Sequence, residues 1–276
     1  MSAPAGDLFG ADEARQWIAV PGPDDDKYSR GVVGFVTGSA RYPGAAVLGV
    51  EAALHTGVGM ARYLGPGRPT RLVLQRRPEA VTADGRVQAW VLGSGQDAGE
   101  RDDAARLLFD TALGQGIPLV IDSGALDLVG VASSPVVITP HAGELAGMLG
   151  VDRAAITRDP AASARRAAAD LGATVLLKGY TTHVATPEGA LLRVASAPAW
   201  LATAGAGDAL AGILGALVAT HAAEIVDDPS ALASLAATAA VLHGLAASRA
   251  SSGGPFTILG LCAALPAVIA SLVEQR

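Results

Sequence analysis

The feature that most constrains this chain is an alternation: short apolar, often β-branched runs, each closing on a glycine or a charged residue, take turns with helical stretches. Val32 to Thr37 runs into Gly38-Ser39 and is followed by Pro43-Gly44 and an Ala-rich helix. Ala89 to Leu92 runs into Gly93-Ser94-Gly95, a helix spans Asp102 to Leu113, and Pro118 to Ile121 ends at Asp122. Val136 to Thr139 leads through Pro140-His141-Ala142-Gly143-Glu144 into a helix, Ala161 to Leu171 is helical, and Thr174 to Leu177 ends at Lys178-Gly179. Runs this short and this uniformly apolar belong in a sheet covered on both faces, and the helices between them supply the crossovers that parallel strands require. The expected fold is α/β, with a mostly parallel central sheet flanked by helices on both faces. Ligands should collect at the C-terminal ends of its strands.

Two regions depart from the alternation. His183 to Thr186, Pro187-Glu188-Gly189 and Leu191 to Ala195 read as a hairpin at a sheet edge, and the last third of the chain is almost entirely helical. Ala231 to Ser248 and Phe256 to Val273 contain no charged residue, and the latter reaches the roughly 18-residue length of a spanning helix. Gly260 and Pro266 interrupt it, and Pro266 fits the first position of a short final helix running to Leu272. Both stretches are read as helices buried in a large core or at a subunit contact, so a homo-oligomer is expected and no membrane partner. No linker or repeat divides the chain, and residues 1–276 are expected to form one domain.

Charge excludes other classes. With 20 Lys and Arg against 26 Asp and Glu, a net charge of −6 and 17% charged residues, there is no basic field for a nucleic-acid backbone. The single cysteine, Cys262, excludes an internal disulfide framework and fits a reducing compartment. The N-terminus lacks the basic-then-apolar order of a signal peptide, so the expected location is cytoplasmic.

The sharpest local signal is Ala204-Gly205-Ala206-Gly207-Asp208, directly before the apolar stretch Ala209 to Thr220. Small residues let the backbone approach a ligand, and the free N–H groups of a first helical turn make an anion site. An acid there reads in two ways: Asp208 is an N-cap, or it is a general base aimed at a hydroxyl that attacks a phosphoryl group held by the helix start. In the second reading the helix dipole should keep it ionised near neutral pH. Lys178 closes a strand that reads as buried, where a lysine is costly unless it meets an anion or solvent. Asp122 is either a structural acceptor or a ligand contact. Glu144 is an ordinary first-turn acid or part of the His141 site, while His55 and His243, in Ala-rich helices, read as structural. No His, Cys or Asp spacing suggests a zinc or iron site.

At Gly205-Ala206-Gly207-Asp208 the chain resembles the ribokinase-like superfamily, and within it the ADP- or ATP-dependent NAD(P)H-hydrate dehydratases. The resemblance is carried in order by Lys27 to Ser39 with Tyr42 to Ala46, Val91 to Gly95, Leu119 to Leu126, Ile138 to Glu144, Leu176 to Gly179 and Ala202 to Gly212. It departs from the family pattern at Ser94, at Ser123-Gly124 and at Pro198-Ala199-Trp200-Leu201. The resemblance implies a ribokinase-like fold and a metabolite-repair lyase that returns hydrated NADH or NADPH (NADHX, NADPHX) to the dihydronicotinamide. ADP or ATP would be the phosphoryl donor, with Mg²⁺ balancing its charge. It implies Asp208 as catalytic base, and Ala45, Ala46, Gly95, His141 and Asp208 against the dinucleotide. The adenine nucleotide would meet Lys178, Gly179, Tyr180, Thr181, Thr182, Gly205 and Gly207. Bifunctional relatives carry an epimerase domain ahead of the dehydratase, for which 276 residues are expected to leave no room. Two alternatives stay open: a small-molecule hydroxyl kinase of the same superfamily, and a nucleotide-binding regulatory protein with a degenerate site.

Overall fold

The computed structural model describes residues 6–274. In chain order its elements are β1 (Asp7–Leu8), α1 (Ala11–Ala14), β2 (Val32–Val36), α2 (Pro43–Thr56), β3 (Met60–Tyr63), α3 (Gly67–Arg76) and β4 (Ala89–Leu92). There follow α4 (Asp103–Leu113), β5 (Leu119–Ile121), β6 (Val136–Ile138), α5 (Ala142–Leu149), α6 (Arg153–Arg158), α7 (Pro160–Leu171) and β7 (Thr174–Leu177). The chain closes with β8 (Thr182–Ala185), β9 (Leu191–Val194), α8 (Ala206–Thr220), α9 (Ala222–Asp227), α10 (Ala231–Ser251) and α11 (Ile258–Val273).

One nine-stranded sheet runs in the order β1-β9-β8-β7-β6-β5-β4-β2-β3. β2 to β7 are mutually parallel, β8 pairs antiparallel with both β7 and β9, and β1 lies parallel to β9. The hairpin is therefore present, but β1 covers its outer strand, so β9 is not the edge. The alternation of side chains explains why the strands read as apolar throughout. Val33, Phe35, Val91, Val120, Val137 and Leu176 face the layer of α2, α8, α10 and α11. Their neighbours Val32, Val36, Trp90, Leu92, Ile121 and Ile138 face the layer of α4, α5, α6 and α7. Each face buries its own core.

The final helices differ from expectation at one point: Pro266 lies inside α11 rather than opening a short helix. α10 is long and apolar enough to cross a membrane, yet 83% of its apolar window is buried within the fold. It packs across β6 to β9 and against α8 and α11, so this helix lends no support to the expected self-association. α8 lies against α2 at backbone distance: a Cβ on Gly212 would come 2.2 Å from the Gly49 carbonyl oxygen, a contact only glycine permits.

Candidate active site

Parallel strands deliver their C-terminal ends to one rim, and there Asp122, His141, Lys178 and Asp208 meet. Asp122, just past β5 and 2% exposed, accepts hydrogen bonds from Ser94 Oγ at 2.9 Å and Thr139 Oγ1 at 2.8 Å, from the ends of β4 and β6. Lys178 Nζ, from the end of β7, donates to the same carboxylate at 2.9 Å and stands 3.7 Å from Glu144 Oε2. A backbone bond from Lys178 N–H to the Pro140 carbonyl at 2.8 Å fixes its strand end beside His141. Burial opposes the ammonium charge, but Asp122, Glu144 and Asp208 more than offset it, and the amine's pKa is raised.

His141 is the N-cap of α5. Its Nδ1 accepts from the N–H groups of Gly143 and Glu144, both at 3.0 Å, while its own N–H donates to Glu144 Oε2 at 2.7 Å. This is a capping box with imidazole in the serine position. With Nδ1 accepting, the ring proton sits on Nε2, and the side chain is 59% exposed, so that donor is available to a ligand.

α8 begins at Ala206, and its N-cap is Gly205 with φ +89°. Asp208 is thus the third helical residue and not the cap, which removes the N-cap reading of its carboxylate. Its environment also differs from the sequence expectation. Burial, then the nearby Asp122 charge, push its pKa up to about 6 from 3.8, with Lys178 pulling the other way. Lys178 lies against the same turn, its ammonium 3.4 Å from where a Cβ on Gly207 would stand. First-turn N–H groups lack partners within the helix, as at every helix start; that of Ala206 donates to the Thr203 carbonyl at 3.3 Å.

A cleft of about 810 Å³ opens over the site, walled on one side by Asp122, His141 and Lys178 and on the other by the turn from Ala204 to Asp208. Gly179, Tyr180 and Thr182 rim it, whereas Thr181 does not line it. Ala45, Ala46 and Gly95 do not line it either: Ala45 is 7% exposed and Ala46 fully buried. Gly95, with φ +66°, presses on Ala45 so closely that a Cβ would stand 2.3 Å from the Ala45 Cβ. Ala46 therefore offers no side-chain surface to a dinucleotide, and a bulky residue at Gly95 would strain the backbone itself. His243, expected to be structural, is a buried part of the cleft wall, and burial lowers its pKa to about 4, leaving a neutral imidazole. Its only signal in the sequence is a lone histidine in the uncharged stretch from Ala231 to Ser248. Among the described residues no group of three or more His, Cys, Asp or Glu is placed to hold a metal ion.

The topology and the rim chemistry define a ribokinase-like α/β protein. A ribokinase-like superfamily protein from Enterococcus faecalis superposes with a TM-score of 0.84 at 22% identity, over 99% of both chains. The ADP/ATP-dependent NAD(P)H-hydrate dehydratase of Bacillus subtilis does so with a TM-score of 0.85 at 24% identity, over 98% of this chain and 100% of that one. The family model described as NAD(P)H-hydrate dehydratase matches residues 33–258. The ADP-dependent (S)-NAD(P)H-hydrate dehydratase of Xanthomonas campestris is 38% identical over 223 residues, 72% of this chain and 76% of that protein. The chain belongs to the NAD(P)H-hydrate dehydratase family. It is also 43% identical over 221 residues to the bifunctional NAD(P)H-hydrate repair enzyme Nnr of Mycobacterium tuberculosis, a match covering 76% of this chain and 45% of that protein. It spans about half the length of the bifunctional relatives it matches.

Proposed function

We propose that this chain, acting as one ribokinase-like domain in the cytoplasm, dehydrates hydrated NADH or NADPH with ADP, or ATP, as phosphoryl donor. The observation that carries the reading is Asp208: a half-buried carboxylate in the first turn of a glycine-started helix, outside any ion pair, with a lysine beside it. Its pKa near 6 suits a group that is ionised at neutral pH and still basic enough to take a hydroxyl proton. In this reaction Asp208 accepts the proton of the ring hydroxyl as that oxygen attacks the terminal phosphorus, and AMP leaves from ADP. The N–H groups from Gly205 to Gly207 and the Lys178 ammonium stabilise the charge on the transferring phosphoryl. Hydroxide, a poor leaving group, has become phosphate. Its departure with a proton from the neighbouring ring carbon restores the double bond of the dihydronicotinamide.

The exposed Nε2–H of His141 is a donor to the dinucleotide, and the Lys178 to Thr182 segment the approach for the nucleotide. The Bacillus subtilis relative was co-crystallised with ATP/Mg²⁺. Here Mg²⁺ would arrive on the nucleotide's phosphates, because these residues offer no ready-made cage for it. Incubation with hydrated NADH and ADP should restore the dihydronicotinamide absorbance and release AMP and phosphate in equal amounts. Nucleotide consumption with a stable phosphorylated product would instead identify a hydroxyl kinase. Binding without turnover would identify a nucleotide-binding protein.

A further inference from the structure

Four charged groups crowd the rim, and their pairing is uneven. Lys178 is ion-paired to Asp122 at 2.9 Å and to Glu144 at 3.7 Å, but it forms no ion pair with Asp208, although all three acids act on its charge. Asp122 is held from every side: by the hydroxyls of Ser94 and Thr139, by burial, and by its own backbone. Ser123, the next residue, has φ +47°, a region that side chains other than glycine seldom occupy. Gly124 then passes so near Gln96 that a Cβ would stand 2.3 Å from its carbonyl oxygen.

We propose that Asp122 is a positioning residue: it holds the Lys178 ammonium against the first turn of α8 and keeps it off the Asp208 carboxylate, so that the base stays free. The inference rests on the reading of Asp208 and Lys178 given above. Without Asp122 the lysine would have Glu144 and Asp208 as its remaining acids, and an ion pair with Asp208 would tie up the proton acceptor and withdraw the cation from the phosphoryl group. The groups that face Asp208 are Asp122 beyond β5, Lys178 beyond β7, Glu144 and His141 at the start of α5, and His243 on α10. Loss of the Asp122 charge and approach of Lys178 act in the same direction, lowering the Asp208 pKa.

The test is Asp122→Asn, which keeps the shape and the acceptor oxygen but not the charge. Carboxyl NMR titration of the protein without substrates should show Asp208 moving down from about 6 toward 3.8. The acidic limb of turnover should move with it, and kcat should fall roughly tenfold, more than the KM for ADP changes. Ser94→Ala and Thr139→Ala, which loosen Asp122 and leave its charge, should lower Tm and leave the Asp208 titration in place. An Asp122→Asn variant that loses Tm but titrates at Asp208 like the wild type overturns the proposal and makes Asp122 purely structural. Should Asp122→Asn not fold, Lys178→Met is compared with Asp122→Asn/Lys178→Met. Equal kcat in the two supports action through the lysine, and a further loss in the double variant overturns it. A wild-type protein that does not turn over hydrated NADH defeats the functional reading alone, because the titration is read without substrate.

Discussion

Asp208→Asn removes a charge from a place where the fold opposes it. The carboxyl titrates near 6 in the folded chain against 3.8 for the free group, a difference of about two pH units, or at most about 3 kcal/mol. Because the folded pKa is the higher one, the group's favourable contribution is complete below the unfolded pKa and is lost as pH rises through the folded one. At neutral and higher pH the wild type thus bears the full cost of an ionised Asp208, and asparagine does not. The variant should melt about 5 to 10 °C higher above roughly pH 7, at the usual few degrees per kcal/mol. The two curves should converge as pH falls toward about 4. Activity should go the other way, with a loss on the order of 10² to 10⁴ in kcat, since the amide cannot take a proton. Paired thermal melts across this pH range, with turnover measured on the same preparations, check both halves. Equal melting temperatures throughout would show that Asp208 is not desolvated and would remove the physical basis for its raised pKa. An active Asn variant would remove the base.

Lys178→Ala leaves the buried Asp122 carboxylate without its cation and should cost roughly 3 kcal/mol of stability in denaturant titration. By calorimetry it should also weaken ADP binding. His141→Ala deletes the α5 cap and should cost about 1 kcal/mol, while His141→Asn keeps a capping side chain; both should raise the KM for hydrated NADH if the ring Nε2–H contacts the dinucleotide. Gly212→Ala drives a methyl into the Gly49 carbonyl and should destabilise by about 2 kcal/mol or more in urea melts, with kcat falling only as the α8 start shifts.

The strands with uniform apolar runs were legible because burial on both faces leaves nothing polar to interrupt them. β3 was not: Arg62 sits in its middle, and its 9% exposure is tolerated only because its guanidinium donates to the carbonyls of Ala83, Asp84 and Arg86. No local pattern announces that loop. Asp208 and Lys178 stand out in the sequence at the glycine-rich helix start and at a strand end closing on a charged residue, His141 through the family resemblance. What joins them was invisible, since Asp122 meets a lysine 56 residues away and threonine and serine from two other strand ends. Asp208 stays ionised at neutral pH with a pKa near 6, but the upward shift is not legible at the helix start. A helix dipole can be read from a helix start, whereas desolvation depends on residues that only the fold brings together. Ala46 was placed against the substrate by family likeness, yet the turn of α2 that carries it points the methyl inward.

The contact of α8 with α2 at Gly212 and Gly49 joins main chain to main chain, with no side chain between them to change rotamer. Such a joint has no slack. The helix that carries Asp208 is therefore the fixed jaw of the cleft, unable to slide toward a ligand without parting from the core. The opposite rim is built otherwise, with Gly179 and the ring of Tyr180 exposed at the cleft. On the function proposed above, a nucleotide would be brought to a base whose helix is held by a backbone joint.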